Sequence, residues 1–121
     1  MTTAMEQLAH RQATKAAISE VAAALQSVLG QQITAVIAGI KDAKAVGQWA
    51  RGEREPHPAA ARRLRSAFQV AQLLLQVDDP GVVRAWFVGM NPLLEDESPA
   101  LALTHEPAKV MDAARAFAYS G

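Results

Sequence analysis

Three observations predict an all-α chain. Strand signals are weak: aromatic residues make up 5% of 121 residues, no Asn-Gly or Asp-Gly turn occurs, and no period-two alternation is sustained. Apolar residues recur instead at helical spacing. Glycine and proline fall at the ends and starts of those stretches, where helix caps want them.

The elements follow in order. Residues 1 to about 12 are polar, and the expectation is a frayed start. Thr14 is the expected N-cap of a first long helix, whose face carries Ile18, Val21, Ala22, Leu25, Val28 and Leu29 and which stops at Gly30. Gln31 to Ala38 suits a short second helix with Ile33, Val36 and Ile37. Asp42 is the expected cap of a third, Ala43 to Arg51, closed by Gly52. Pro56 and Pro58 disfavour helix before them, so a fourth helix starts at Pro58 and runs to about Val77. It carries one stripe of Leu64, Ala67, Phe68, Ala71, Leu74 and Leu75, and a second of Val70, Leu73 and Val77. So wide an apolar face predicts packing on two sides, against both halves of the chain or a second copy. Asp79-Pro80 opens a fifth helix to about Phe87, Leu93-Leu94 suits one turn, and Ser98-Pro99 opens a short helix through Leu103. Glu106-Pro107 opens the last, with Val110, Met111, Ala114, Phe117 and Ala118 at core spacing. Two regions are expected, 1–78 and 79–121, joined by the long fourth helix.

Composition narrows the function. There is no cysteine, which removes disulfides, thiolate zinc sites and cysteine nucleophiles. The longest apolar run is Val21 to Leu25, far short of a membrane span, and the opening residues lack the regions of a signal peptide. A cytoplasmic protein with no membrane partner is the expectation. Net charge is zero but unevenly spread. Residues 1–65 hold nine Lys or Arg against five Asp or Glu; residues 66–121 hold three against seven. A basic half and an acidic half predict two surfaces with different partners.

Within residues 31–52, two short helices joined by a glycine-containing turn have the form of a helix-turn-helix, whose second helix reads the major groove of DNA. Val46, Trp49 and Ala50 are expected to face the core. Lys44, Gly47, Gln48 and Arg51 fall at i, i+3, i+4 and i+7 and share the opposite face. Lys44, Gln48 and Arg51 are donors suited to phosphates and base edges, and glutamine can pair bidentately with adenine. Gly47 costs its helix about 1 kcal/mol relative to alanine, which suits either close approach of DNA or close packing on another helix. Arg51, Arg54, Arg62, Arg63 and Arg65 cluster around the prolines and can grip flanking phosphates. His57 is placed to cap the fourth helix or to touch a phosphate.

The second half carries a more specific pattern. Ala38-Gly39-Ile40-Lys41-Asp42, Val46, Trp49-Ala50-Arg51-Gly52, Pro56 and Arg63-Leu64 come first. Val83, Ala85-Trp86-Phe87, Asn91-Pro92-Leu93-Leu94, Ser98-Pro99, Leu103 and Ala113-Ala114-Arg115-Ala116-Phe117 follow. In this order and spacing the chain, over residues 38–121, resembles the Xre/MbcA/ParS family of antitoxins. It departs at Glu95-Asp96-Glu97, where the family often has a glycine. The resemblance implies an Xre-like helix-turn-helix region linked by a long helix to a toxin-binding region. It implies a partner, a RES-domain toxin that consumes NAD⁺ by phosphorolysis, hydrolysis or ADP-ribosyl transfer. The antitoxin covers the mouth of the toxin's NAD⁺ pocket, and its helix-turn-helix binds operator DNA as an autorepressor. Such inhibition needs a complementary surface and no chemistry of its own.

The candidate sites are therefore two. Lys44, Gln48, Arg51, Arg54 and Arg62 are the expected DNA contacts. Phe87, Arg115, Tyr119, Ser120 and Gly121 are the expected toxin contacts, with Trp86 and Phe117 assigned to the core. A homodimer, or a higher hetero-oligomer with toxin, is expected, with Val70, Leu73 and Val77 as the seam. No enzyme and no cofactor are expected: His10, His57 and His105 are isolated, and Asp78-Asp79 and Glu95-Asp96-Glu97 suit capping and solvation. The rival readings are a stand-alone helix-turn-helix regulator with a dimerisation lobe, and an adaptor whose helix pair no longer binds DNA.

Overall fold

A computed structural model describes residues 3–120, and every element within them is helical. The order is α1 (Ala4–Lys15), α2 (Ile18–Leu29), α3 (Gln31–Ala38), α4 (Lys44–Ala50), α5 (Pro58–Leu75), α6 (Pro80–Val88), a 3-10 turn (Pro92–Leu94), α7 (Pro99–Ala102) and α8 (Pro107–Tyr119).

Proline and a preceding cap set most of the starts. Asp79 Oδ1 accepts from Val82 N (3.1 Å), Asn91 Oδ1 from Leu93 N (3.0 Å), and Ser98 Oγ from Leu101 N (3.3 Å). Each is followed by proline at the first helical position, where a missing N–H costs nothing. His57 does cap α5: its Nδ1 accepts from Ala60 N at 3.3 Å. Asp42 accepts from Lys44 N at 3.0 Å, so α4 begins one residue later than the sequence suggests.

The start of the chain is a correction. In place of a frayed segment there is α1, twelve residues long, and Thr14 lies within it while α2 is preceded by Ala17 without a side-chain cap. Thr3 and Glu6 form a capping box. Glu6 N donates to Thr3 Oγ1 (3.1 Å) and Thr3 N donates to Glu6 Oε2 (3.2 Å). Ala9 is buried, Gln76 Nε2 donates to Met5 O (3.0 Å), and Arg65 Nη1 donates to Ala16 O (2.8 Å).

α5 is the centre. It packs against α1, α2, α3, α6 and α8. Leu64, Ala67, Phe68, Ala71 and Leu74 are buried, and so are Val70 and Leu73 of the second stripe. The chain itself covers both stripes, so Val70 and Leu73 are no seam for a second copy. Val77 lies beyond the end of α5 and is exposed. One contiguous core runs from Ala9 to Ala114, across the boundary near residue 78.

Phe87 belongs to that core with 0% of its surface exposed. Replacing Phe87 by Ala is expected to lower unfolding stability by about 3–5 kcal/mol in a urea titration. A loss below 1 kcal/mol would remove it from the core.

Candidate functional site

The first candidate surface is built on α3 and α4. Gly39, at φ 77°, ends α3 in a left-handed turn that glycine adopts without strain. Arg63 reaches from α5 to donate to Ile37 O (3.1 Å) and to Ala38 O, satisfying carbonyls at the end of α3. Arg63 is thus a structural clamp, as is Arg65 on Ala16, and neither is placed as a phosphate grip.

α4 is pinned by Val46 and Trp49, both buried, with Ala50 half-buried against the core. The Trp49 indole N–H is buried with no acceptor. Lys44 and Arg51 are exposed and Gln48 is half-buried, so the three expected readers lie on the outward side of α4. Gly47 does not share that side. It is buried, and a Cβ there would sit 2.9 Å from Gln31 Nε2 and 3.2 Å from Arg51 Nη1. It makes room for side chains of its own chain. Arg51 Nε donates to Glu53 Oε2 at 2.6 Å, and the Glu53 carboxylate raises the Arg51 pKa above its usual value. Arg54 and Arg62 are exposed.

The second candidate surface lies on α6 and α8. The structure reverses three assignments here. Phe87, an expected partner contact, is wholly buried, while Trp86 is half-buried at the surface. Phe117, expected in the core, is 39% exposed. The Trp86 ring meets Phe87 edge-on at 5.3 Å between centroids and lies 6.3 Å from Phe117. Val82, one turn before Trp86, is exposed as well. Val82, Trp86 and Phe117 thus form an apolar, mostly aromatic surface, and exposed Met90 follows the end of α6.

Arg115 and Tyr119 hold α8 to α1. Arg115 Nε pairs with Glu6 Oε1, Arg115 Nη1 is 2.8 Å from Asp112 Oδ1, and the Tyr119 hydroxyl donates to Glu6 Oε2 at 2.9 Å. Ser120 Oγ donates to Phe117 O at 3.1 Å, and Gly121 lies outside the described residues. Burial opposes ionisation of Glu6, which is 7% exposed, but the hydrogen bonds from Arg115, Tyr119 and Thr3 outweigh it and hold its pKa at about 2. The capping box was readable in Thr3-Ala4-Met5-Glu6, although the sequence gives no sign of the contact to α8.

No family model, curated protein or solved structure matches this chain. Among the described residues no three His, Asp or Glu gather as a metal site, and no helix is long and apolar enough to cross a membrane.

The low Glu6 pKa fixes a pH dependence. A carboxylate depressed from 4.5 to about 2 stabilises the fold above pH 4.5, and that stabilisation is lost as pH falls toward 2. Urea midpoints should therefore fall over that window. Glu6→Gln should lower the midpoint at pH 7 and flatten the acid limb; an unchanged limb would dissociate Glu6 from the effect.

Proposed function

We propose that this chain is the antitoxin of a type II toxin–antitoxin pair. It binds a RES-domain toxin over the mouth of the NAD⁺ pocket and represses its own promoter through a helix-turn-helix formed by α3 and α4. The observation that carries the reading is the exposed Val82–Trp86–Phe117 surface. The chain has only six aromatic side chains, and two of them are committed to this patch. Aromatic residues and methionine are enriched in the buried centres of protein interfaces, where a few large side chains carry most of the binding energy. An exposed cluster of this kind is costly in water and favourable under a partner.

The loop after Leu94 supports the same family. Glu95 and Asp96 take φ values of 55° and 66°, the left-handed region that glycine occupies most easily. The resembled antitoxins often carry glycine there, and Glu95 and Asp96 hold a backbone conformation that glycine would take without strain.

The toxin-facing residues on this reading are Trp86, Phe117 and Val82, with the Tyr119 ring and Ser120 at the margin. Arg115 acts from behind by holding α8 in place. The inhibitor makes and breaks no bond. The DNA-facing residues are Lys44, Gln48, Arg51, Arg54 and Arg62. Complexes form as homodimers or as hetero-oligomers with toxin. A stand-alone regulator is the second reading, and the same aromatic patch favours it if a second copy is what covers it.

Co-expression with the RES-domain toxin of the adjacent gene decides between them. The wild-type chain should restore growth and co-purify with toxin. Phe117→Asp and Trp86→Ala should each abolish rescue while promoter binding persists; urea midpoints should fall, more for Trp86→Ala because its ring packs on Phe87, with a folded baseline retained in water. Rescue by both variants would sink the antitoxin surface; dissociation of a dimer without any toxin effect would favour the regulator.

Promoter binding tests the other face. Gln48→Ala should cost about 1–3 kcal/mol of site preference if Gln48 pairs with a base. Glu53→Gln should tighten binding to any duplex, because it frees the Arg51 guanidinium from its own carboxylate. Equal affinity of both variants and wild type would count against α4 as the reading helix.

A further inference from the structure

The acidic half of the chain holds three cations, Arg84, Lys109 and Arg115. Two are neutralised nearby: Lys109 Nζ lies 3.1 Å from Glu106 Oε1, and Arg115 pairs with Glu6 and Asp112. Arg84 is different. It is exposed on α6, and among the described residues it has no carboxylate partner.

Its guanidinium lies over the basic half. A Cβ built on Gly30 would be 3.6, 3.7 and 3.9 Å from Nη1, Nη2 and Cζ of Arg84, so the group meets the junction of α2 and α3 with its terminal nitrogens foremost. Gly30, at φ 87°, provides both the bend and the bare backbone beneath it. The next residue, Gln31, donates from Nε2 to Gln26 Oε1 at 2.9 Å. That amide sits over Gly47, whose other neighbours are Arg51 Nη1 and Gln26 Oε1. Arg84 beside Gly30, Gln31 next to it in the chain, and Arg51 beside Gly47 thus place three donors in succession across α6, α3 and α4.

We infer that Arg84 contacts a phosphate of double-stranded DNA, extending the α4 face across α3 onto α6. This rests on the DNA-binding reading of α4. A succession of donors across three helices suits the regularly spaced charge of a duplex backbone. The contact positions the protein and reads no base. A guanidinium without a carboxylate contributes its full charge to such a contact, whereas Arg51 must first leave Glu53.

The test uses the full chain, a duplex from the promoter upstream of its own coding sequence, and an unrelated duplex of equal length. Affinities are measured by fluorescence anisotropy across potassium chloride concentrations. Arg84→Ala should weaken both duplexes by the same factor, about eightfold near 0.1 M salt and vanishing toward 1 M, and should reduce the log-log salt slope by ~0.9. Arg84→Lys should retain the slope. Urea midpoints check that both variants fold. Lys44→Ala is the reference. If Lys44→Ala flattens the slope and Arg84→Ala does not, the Arg84 contact is overturned while the α4 reading stands. If wild-type binding is itself absent or insensitive to salt, the α4 reading falls and takes Arg84 with it. If Arg84→Ala spares both duplexes but abolishes toxin capture, Arg84 faces a protein carboxylate and the inference is likewise overturned.

Discussion

The fold depends on covering both sides of α5. Two apolar stripes on one eighteen-residue helix cannot be buried by a single neighbour. Residues before and after α5 must therefore close over it, and helices from both halves of the chain do so. This requirement explains why α1 exists as an ordered helix despite its polar composition. Ala9 seals part of the α5 surface, and the hydrogen bonds of Glu6 to α8 fix α1 in register. It also explains why Val70 and Leu73 have no role in a seam between copies: α5 is spent within its own chain.

Much of this architecture was legible. Asp79-Pro80, Ser98-Pro99 and the glycines after α2 and α3 mark boundaries because cap chemistry is local and needs only neighbouring residues. Assignments of side chains to one face or another were less legible. On α6 the apolar positions almost encircle the helix, so periodicity alone could not say that Phe87 turns inward and Trp86 outward. Phe117 shares its stripe with Val110 and Ala114, yet its ring lies beside the half-buried Trp86 and keeps 39% of its surface exposed, a tertiary placement that spacing along α8 does not encode. Gly47 fell on the expected outer face by spacing. Its burial comes from Gln31 and Gln26 on two other helices, a tertiary effect invisible in a heptad count. The outward placement of Lys44, Gln48 and Arg51 on α4 was legible because burial of Val46 and Trp49 leaves them no other direction.

Charge organises the surface more finely than the two-half split suggests. Of the five arginines between residues 51 and 65, Arg63 and Arg65 hold backbone carbonyls, and Arg51 is paired with Glu53. Guanidinium groups serve such clamps because their forked donors span two acceptors at once. The apparent density of positive charge in the sequence therefore overstates what faces outward there. The acidic half, conversely, contributes Arg84 to the basic side.

The unequal settings of the two indoles give the molecule an optical consequence. Trp49 is sealed in the interior with its N–H unpartnered, while Trp86 sits half in water beside Phe117. The tryptophan emission of the native chain is thus the sum of a blue, solvent-insensitive component and a redder one that reports on whatever lies over α6. Quenching by iodide reaches the second far more readily than the first, so the chain carries its own label for the occupancy of that surface.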